Sequence, residues 1–134
     1  MKRYATDTQC ILWYLAEDRR LPRVAQAAFK AAEEGRAQIL VPSITLVEAL
    51  FLLQRQRVPD AAISQLLTLS EDPSASMYVV PLDMPVVHAV RDFGPAAGPE
   101  LPDRIVAATA RALDIPLITT DPVIAESGLV KVLE

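Results

Sequence analysis

Four of the 17 aspartates and glutamates lie inside apolar segments or at their ends, rather than in polar stretches. They are Asp7, Glu48, Asp103 and Asp121. Carboxylates that lie close together repel one another and need protons or cations. Oxygen-only ligands suit hard divalent ions such as Mg²⁺ or Mn²⁺. Such an ion lowers the pKa of a water molecule and stabilises charge on a phosphoryl oxygen, so the natural reaction of such a site is phosphodiester hydrolysis.

Glu48 has the most unusual surroundings of the four acids. It lies within the apolar segment Ile44–Leu53, and no other charged residue occurs between Arg36 and Arg55. An ionised carboxylate on an apolar helix face is costly unless it is paired, hydrogen-bonded or bound to a metal. A glutamate that reaches solvent, or that pairs with an arginine, is the alternative explanation.

The three aspartates each have a simpler structural explanation. Asp7 ends a predicted strand and can cap the next helix, and Asp121 precedes Pro122 in a common helix start. Asp103 opens a helix, where a carboxylate interacts favourably with the helix dipole. Taken alone, none of the three aspartates identifies a site, so their relative positions must decide whether they form one.

The elements that would position these acids are strands alternating with helices. Apolar strands are predicted at 3–7, 37–41, 77–80, 115–120 and 129–133. Helices are predicted around 11–15, from 22 to 35, from a Ser43 cap to about Gln56, and at 59–70, 84–93 and 104–113, with a Pro- and Gly-rich loop at 94–102. Strands that are apolar throughout indicate a parallel sheet covered on both faces. The predicted fold is an α/β/α sandwich with a central, mainly parallel sheet of about five strands, in one domain over residues 1–134.

The lengths of these elements bring the acids to one end of the sheet. The helix from Asp103 spans about 16 Å, and the strand that returns to Asp121 spans about 18–20 Å. Asp103 and Asp121 therefore finish at the same end. Asp7 lies there because parallel strands end together, and Glu48 lies just over one turn into a helix that starts there. All four carboxylates can converge.

Composition limits the alternatives. A chain of 134 residues with 51% apolar residues and 22% charged residues can fold around a core. A net charge of −4 argues against nucleic-acid binding by bulk charge alone. The single cysteine, Cys10, and the single histidine, His88, exclude disulfides within the chain and metal sites rich in cysteine or histidine. No apolar run has the length of a membrane span, and the N-terminus does not look like a signal peptide, so a cytoplasmic location with no membrane partner is expected.

At these residues the chain resembles the PIN-domain nucleases, and among them the VapC-type toxins of toxin–antitoxin systems. Asp7-Thr8 is similar to the strand-one aspartate and hydroxyl residue of the family, and Glu48 to its buried helical glutamate. The segment Pro102–Ala110 resembles its alanine-rich helix led by an aspartate, and Leu117–Asp121 its Thr-x-Asp strand end. The resemblance covers essentially the whole chain.

The resemblance implies a PIN-like fold and a Mg²⁺- or Mn²⁺-dependent endoribonuclease, of a kind that is often a toxin and often a homodimer. Asp7, Glu48, Asp103 and Asp121 would then be both the catalytic residues and the metal ligands. Thr119, and with it Thr8, would orient a carboxylate or a water molecule. The implied partners are an RNA substrate and an antitoxin protein that inserts a peptide near the acidic cleft, with an arginine among the acids.

Arg104 and two departures from the family pattern also bear on a nuclease. Arg104 is the best candidate for a phosphate contact, because it adjoins Asp103 and a guanidinium fork suits phosphate. The chain departs from the family at Gln9, where members often carry Asn or Ser, and in the length of the loop at 94–102. The first departure concerns the polar network around Asp7, and the second concerns substrate access.

Two other functions fit the same elements. One is a non-catalytic PIN-like interaction protein whose carboxylates are unused. The other is a phosphoryl-transfer domain such as a response-regulator receiver, which also gathers carboxylates at strand ends. That domain needs a nearby lysine, and Lys2, Lys30 and Lys131 are not well placed for it.

Overall fold

The computed structural model describes residues 1–55, 58–72, 76–94 and 100–133. In chain order the elements are β1 (Lys2–Thr6), α1 (Thr8–Leu15), α2 (Arg23–Glu33), β2 (Ala37–Pro42), α3 (Ser43–Gln54), α4 (Asp60–Glu71), β3 (Met77–Val80), α5 (Met84–Asp92), α6 (Leu101–Leu113), β4 (Leu117–Ile118) and α7 (Pro122–Glu126).

The four strands form one sheet in the order β3-β2-β1-β4, and every neighbouring pair is parallel. Within this sheet Lys2 pairs with Ala37 and Ala5 pairs with Leu117. The strands are connected through helices, as parallel strands require. The predicted α/β class with a parallel central sheet is confirmed, and β1 lies in the middle of the sheet, where ligand sites form beyond the strand ends.

Helices cover both faces of the sheet, and alternate residues of β2 point to opposite sides. Ile39 packs in a core cluster with Ile11, Phe29 and Leu66, which come from α1, α2 and α4. Leu40 packs in the other cluster, with side chains from α5 and α6. In α6 Ala107, Ala108 and Ala110 are fully buried, and these small side chains let the helix lie close against β1.

The sheet has four strands in the described part of the chain, rather than about five. The strand expected at 129–133 is reduced to one parallel bridge, between Leu117 and Val132. β4 itself is only two residues long, so it offers few backbone groups to a further strand. The backbone N–H of Leu117 donates to the carbonyl of Lys131, and the N–H of Leu133 donates back to the carbonyl of Leu117.

Two predicted helix starts were wrong. α6 begins at Leu101 rather than Arg104, because Pro102 is accommodated in its first turn, where no backbone N–H is needed. Ser43 is the first residue of α3 and not its cap, and no side chain caps this helix. The predicted loop at 94–102 falls largely on residues 95–99, and the predicted end of α3 falls on Gln56; these lie outside the described residues. In the described part, no helix combines the length and the hydropathy needed to cross a bilayer.

Candidate active site

The four acids lie around the ends of β1 and β4. Asp7 directly follows β1, and Asp121 lies three residues beyond the end of β4. Glu48 is in the second turn of α3, which follows β2 without a loop, and Asp103 is in the first turn of α6. The negative charges of Asp7, Glu48 and Asp121 all help to raise the pKa of Asp103. The structure therefore places the four carboxylates within electrostatic range of one another.

Asp7 is both a helix cap and a member of the acidic set. Its Oδ1 accepts a hydrogen bond from the backbone N–H of Cys10 at 2.8 Å, which caps α1. Its Oδ2 accepts one from the hydroxyl of Thr119 at 2.6 Å. Burial raises the pKa of Asp7, although these hydrogen bonds oppose the shift and the charge of Asp121 adds to it. The capping explanation is therefore correct but does not account for the burial of the charge.

Glu48 is held by a threonine rather than by an arginine. Its Oε1 accepts a hydrogen bond from the hydroxyl of Thr8 at 2.5 Å. Glu48 is absent from the ion pairs found among the described residues. Burial raises the pKa of Glu48, and the charges of Asp7 and Glu100 raise it further. The hydroxyl of the fully buried Thr45 lies 3.5 Å from that of Thr8. Sequence reasoning missed Thr45, although a threonine three residues before Glu48 in an apolar helix is a recognisable signal.

Asp103 lies among more charged neighbours than Asp7 or Glu48. Burial raises the pKa of Asp103 from 3.8 to about 6, and the charges of Glu48, Asp121, Asp7 and Glu100 add to the rise. The first turn of a helix ordinarily stabilises an ionised carboxylate. Here the neighbouring carboxylates and the burial outweigh the helix dipole.

Asp121 is joined to Asp7 through one threonine. Its Oδ1 accepts a hydrogen bond from the N–H of Val123 at 2.9 Å and caps α7. Its own N–H donates to the Oγ1 of Thr119 at 3.1 Å, and the same hydroxyl donates to Asp7. Thr119 therefore connects two acids that are separated by more than 100 residues in the chain. Gln9, in contrast, is exposed, and the bonds to Asp7 come from other residues.

Glu100 is a fifth acid that sequence reasoning missed. It occupies the N-cap position of α6, three residues before Asp103, and its charge raises the pKa of both Glu48 and Asp103. Residues three apart at the start of a helix lie on the same side. That spacing in the Glu-Leu-Pro-Asp segment was the signal that could have identified it.

Arg104 links α6 to the end of α5. Its Nη1 donates to the carbonyl oxygen of Gly94 at 2.7 Å, and the side chain is half-buried. This bond connects the first turn of α6 to the residue that follows Phe93. A contact between Arg104 and phosphate stays a prediction.

The donor chemistry of the site fits a hard divalent cation. Each charge that shifts the pKa of Asp7, Glu48 or Asp103 belongs to another carboxylate, so a cation among them would be stabilised. The described side chains do not form a compact group of three or more Asp, Glu, His or Cys residues at metal-binding distance. Three of the four carboxylates instead accept hydrogen bonds from separate donors: Glu48 from Thr8, Asp7 from Thr119 and Cys10, and Asp121 from Val123.

Comparison with known proteins gives one family and several solved structures. The family model described as PIN domain matches residues 4–128. The structure of VapBC2 from Rickettsia felis bound to a promoter DNA fragment matches with a TM-score of 0.73 and 12% identity, over 97% of this chain and 96% of that one. VapC20 of Mycobacterium tuberculosis, a toxin that cleaves the sarcin–ricin loop, matches with a TM-score of 0.67 and 17% identity, over 98% and 99% of the two chains. A toxin–antitoxin complex from Klebsiella pneumoniae matches with a TM-score of 0.66 and 18% identity, over 98% of each chain. No curated protein matches in sequence.

Proposed function

Since the chain belongs to the PIN domain family, we propose that it is a divalent-metal-dependent endoribonuclease that hydrolyses RNA phosphodiesters in the cytoplasm. Asp7, Glu48, Asp103 and Asp121 would hold Mg²⁺ or Mn²⁺. The observation that carries the proposal is that these four carboxylates lie within electrostatic range of one another, where burial and then their mutual charges raise the pKa values of Asp7, Glu48 and Asp103. A bound cation would supply Lewis-acid chemistry, lowering the pKa of water and stabilising charge on a phosphoryl oxygen.

The protein's own residues orient the ligand set. Thr8 holds the carboxylate of Glu48, and Thr119 holds that of Asp7 while accepting the N–H of Asp121. These hydrogen bonds would fix the orientation of each carboxylate, which is the role of outer hydrogen bonds at metal sites. Arg104 would contact a phosphate of the RNA next to Asp103.

The solved relatives suggest a partner for this nuclease. One of them, from Klebsiella pneumoniae, is a toxin–antitoxin complex, and it matches over 98% of each chain. We therefore include an antitoxin protein in the proposal. Its peptide would insert near the acidic cleft, where an arginine would be stabilised by the carboxylates. The proposal also includes a homodimer.

One observation favours a non-catalytic interaction protein as the second candidate. The described carboxylates do not form a compact group of three or more at metal-binding distance. Calorimetric titration with Mn²⁺ distinguishes the two functions. Heat of binding that disappears in the Asp7→Asn variant supports the nuclease, and no binding at millimolar Mn²⁺ supports the interaction protein.

The direct test is cleavage of a mixed RNA pool by the purified protein. We expect cutting in Mn²⁺ or Mg²⁺ and none in EDTA, with activity restored when metal is added back. Sequencing of the product ends then gives the cleavage site. Cutting that continues in EDTA would exclude a metal-dependent mechanism.

Replacing Thr119 by Val should lower cleavage by about 10–100-fold, as expected for the loss of a hydrogen bond that orients a metal ligand. The side chain keeps its shape but loses the hydroxyl that joins Asp7 to the backbone of Asp121. Thr120→Val is the matched control, because Thr120 is the exposed neighbour in the chain. Initial rates measured over a range of Mn²⁺ concentrations should show a weaker apparent metal affinity for Thr119→Val alone. Equal rates for the two variants would remove Thr119 from the site.

A further inference from the structure

Thr45 is a fully buried polar residue in the first turn of α3, where its hydroxyl cannot use the usual local partners. A threonine inside a helix commonly donates to the carbonyl four residues before it, as Thr109 does to Ile105 at 2.7 Å. For Thr45 that residue is Val41, which belongs to β2 and not to the helix. The N-cap residue of α3 is Pro42, which has no N–H to donate to a side chain in the first turn. A buried hydroxyl needs a hydrogen-bond partner, so Thr45 must find one outside its own helix.

The partner of Thr45 is Thr8, the first residue of α1. The two hydroxyl oxygens lie 3.5 Å apart, and among the described residues this is the only side-chain hydrogen bond of Thr45. Thr8 is also buried, and its hydroxyl oxygen lies 2.5 Å from Oε1 of Glu48. Thr45 and Glu48 are three residues apart on one side of α3. The hydroxyl of Thr8 therefore contacts two successive turns of the same helix face.

The direction of these hydrogen bonds follows from the chemistry of the carboxylate. A hydroxyl has one proton to donate, whereas an ionised carboxylate only accepts. The proton of Thr8 therefore goes to Glu48. Burial raises the pKa of Glu48, and the hydrogen bond from Thr8 opposes that rise. Thr8 is then the acceptor toward Thr45, and Thr45 is the donor. The chain of bonds runs from Thr45 through Thr8 to Glu48, and the bonds in such a chain polarise one another.

We propose that Thr45 is a positioning residue of the acidic site, whose buried hydroxyl holds Thr8 and, through it, the carboxylate of Glu48. Thr8 directly follows Asp7, so the same contact sets α3 against the start of α1 and fixes Glu48 relative to Asp7. Hydrogen bonds behind a metal ligand set its direction and thereby the affinity for the metal. The inference rests on the proposed function, since it assigns Thr45 to the same metal site.

The test is the affinity for Mn²⁺, measured by calorimetric titration of the wild type, Thr45→Val and Thr45→Ser. Valine keeps the shape of threonine without the hydroxyl, whereas serine keeps the hydroxyl. Outer hydrogen-bond partners are worth ~10–100-fold in metal affinity, and Thr45 acts through a second residue, so we expect about 3–10-fold weaker binding for Thr45→Val. Thr45→Ser should bind like the wild type. Thr109→Val is the matched control, because Thr109 is similarly buried and its hydroxyl bonds within its own helix.

A double-variant cycle separates positioning from packing. If Thr45 acts through Thr8, Thr45→Val should weaken Mn²⁺ binding in the wild type but change it little in a Thr8→Val background. A Thr45 that only packs in the core would cause the same loss in both backgrounds. Equal losses would therefore overturn the proposal. Wild-type affinity in Thr45→Val would also overturn it, as would a Thr45→Ser protein that binds as weakly as Thr45→Val.

A measurement without metal distinguishes failure of this inference from failure of the proposed function. In EDTA, the NMR resonance of the Glu48 carboxyl carbon should shift in Thr45→Val and stay in place in Thr109→Val, because only the first change reaches Thr8. A wild type that binds no Mn²⁺ while this shift is present would refute the metal site, and Thr45 would still hold Glu48. A Glu48 resonance that does not move in Thr45→Val would overturn the inference whether or not Mn²⁺ binds.

Discussion

The Asp7→Asn variant is expected to lose RNA cleavage by at least about 100-fold, because the hydrogen-bond partners of metal ligands alone are worth ~10–100-fold and Asp7 would be a ligand itself. The fold should remain intact. Asn and Asp are equally good helix caps, so the bond from the N–H of Cys10 can persist. The substitution also removes a buried charge whose pKa is raised by that burial.

The control for Asp7→Asn is Asp83→Asn. Asp83 caps α5 in the same way, through its Oδ1 and the N–H of Val86 at 3.3 Å, but it is exposed and follows the edge strand β3. Cleavage of a fixed RNA and thermal unfolding should be measured for both variants. We expect both to melt near the wild-type temperature, with only Asp7→Asn inactive. Wild-type cleavage by Asp7→Asn would refute the assignment of the site.

The Asp103→Asn variant should lose cleavage and yet be more stable than the wild type without metal at neutral pH. The pKa of Asp103 in the folded protein is raised from 3.8 to about 6. Its contribution to stability is therefore complete below about pH 3.8 and is lost as the pH rises through about 6. Asparagine stays neutral at every pH. The full shift corresponds to ~3 kcal/mol, and solvent screening of this partly exposed carboxyl reduces the expected gain to about 1 kcal/mol.

Urea unfolding in EDTA at pH 4.5 and pH 7.5 measures this effect. The free energy of unfolding of Asp103→Asn should exceed that of the wild type at pH 7.5, and the difference should shrink at pH 4.5. Asp60→Asn is the control, because Asp60 is an exposed acid in the first turn of α4. Its loss should slightly destabilise the protein through the helix dipole. Addition of Mn²⁺ should stabilise the wild type more than Asp103→Asn, because a ligand that binds the folded state stabilises it and the variant would lack one of the proposed metal ligands. If Asp103→Asn is less stable than the wild type at pH 7.5, the ionised Asp103 carboxylate does not destabilise the folded protein.

Much of the fold was predictable because it follows from local pattern. Apolar strands alternating with helices require a parallel sheet with covered faces, and the structure has one. The start of α6 was less predictable, since Pro102 is tolerated in a first turn and conceals the boundary. The strand expected at 129–133 has the right composition, but pairing depends on its neighbour, and β4 is too short to support a ladder.

The sequence by itself determined which acids were candidates and toward which end of the sheet they lie. Glu48 is unusual in its own segment, and element lengths place Asp103 and Asp121 at one end. Only the tertiary structure decided what holds each carboxylate. Thr119 meets Asp7 across 112 positions of the chain, and Thr8 meets Glu48 across 40. The structure also decided that the charge of Glu100 acts on Asp103. It likewise decided that Val47 and Phe51 of α3 are exposed. Hydrogen bonds, burial and charge coupling between distant residues depend on distances of a few ångströms, which no local pattern in the chain specifies.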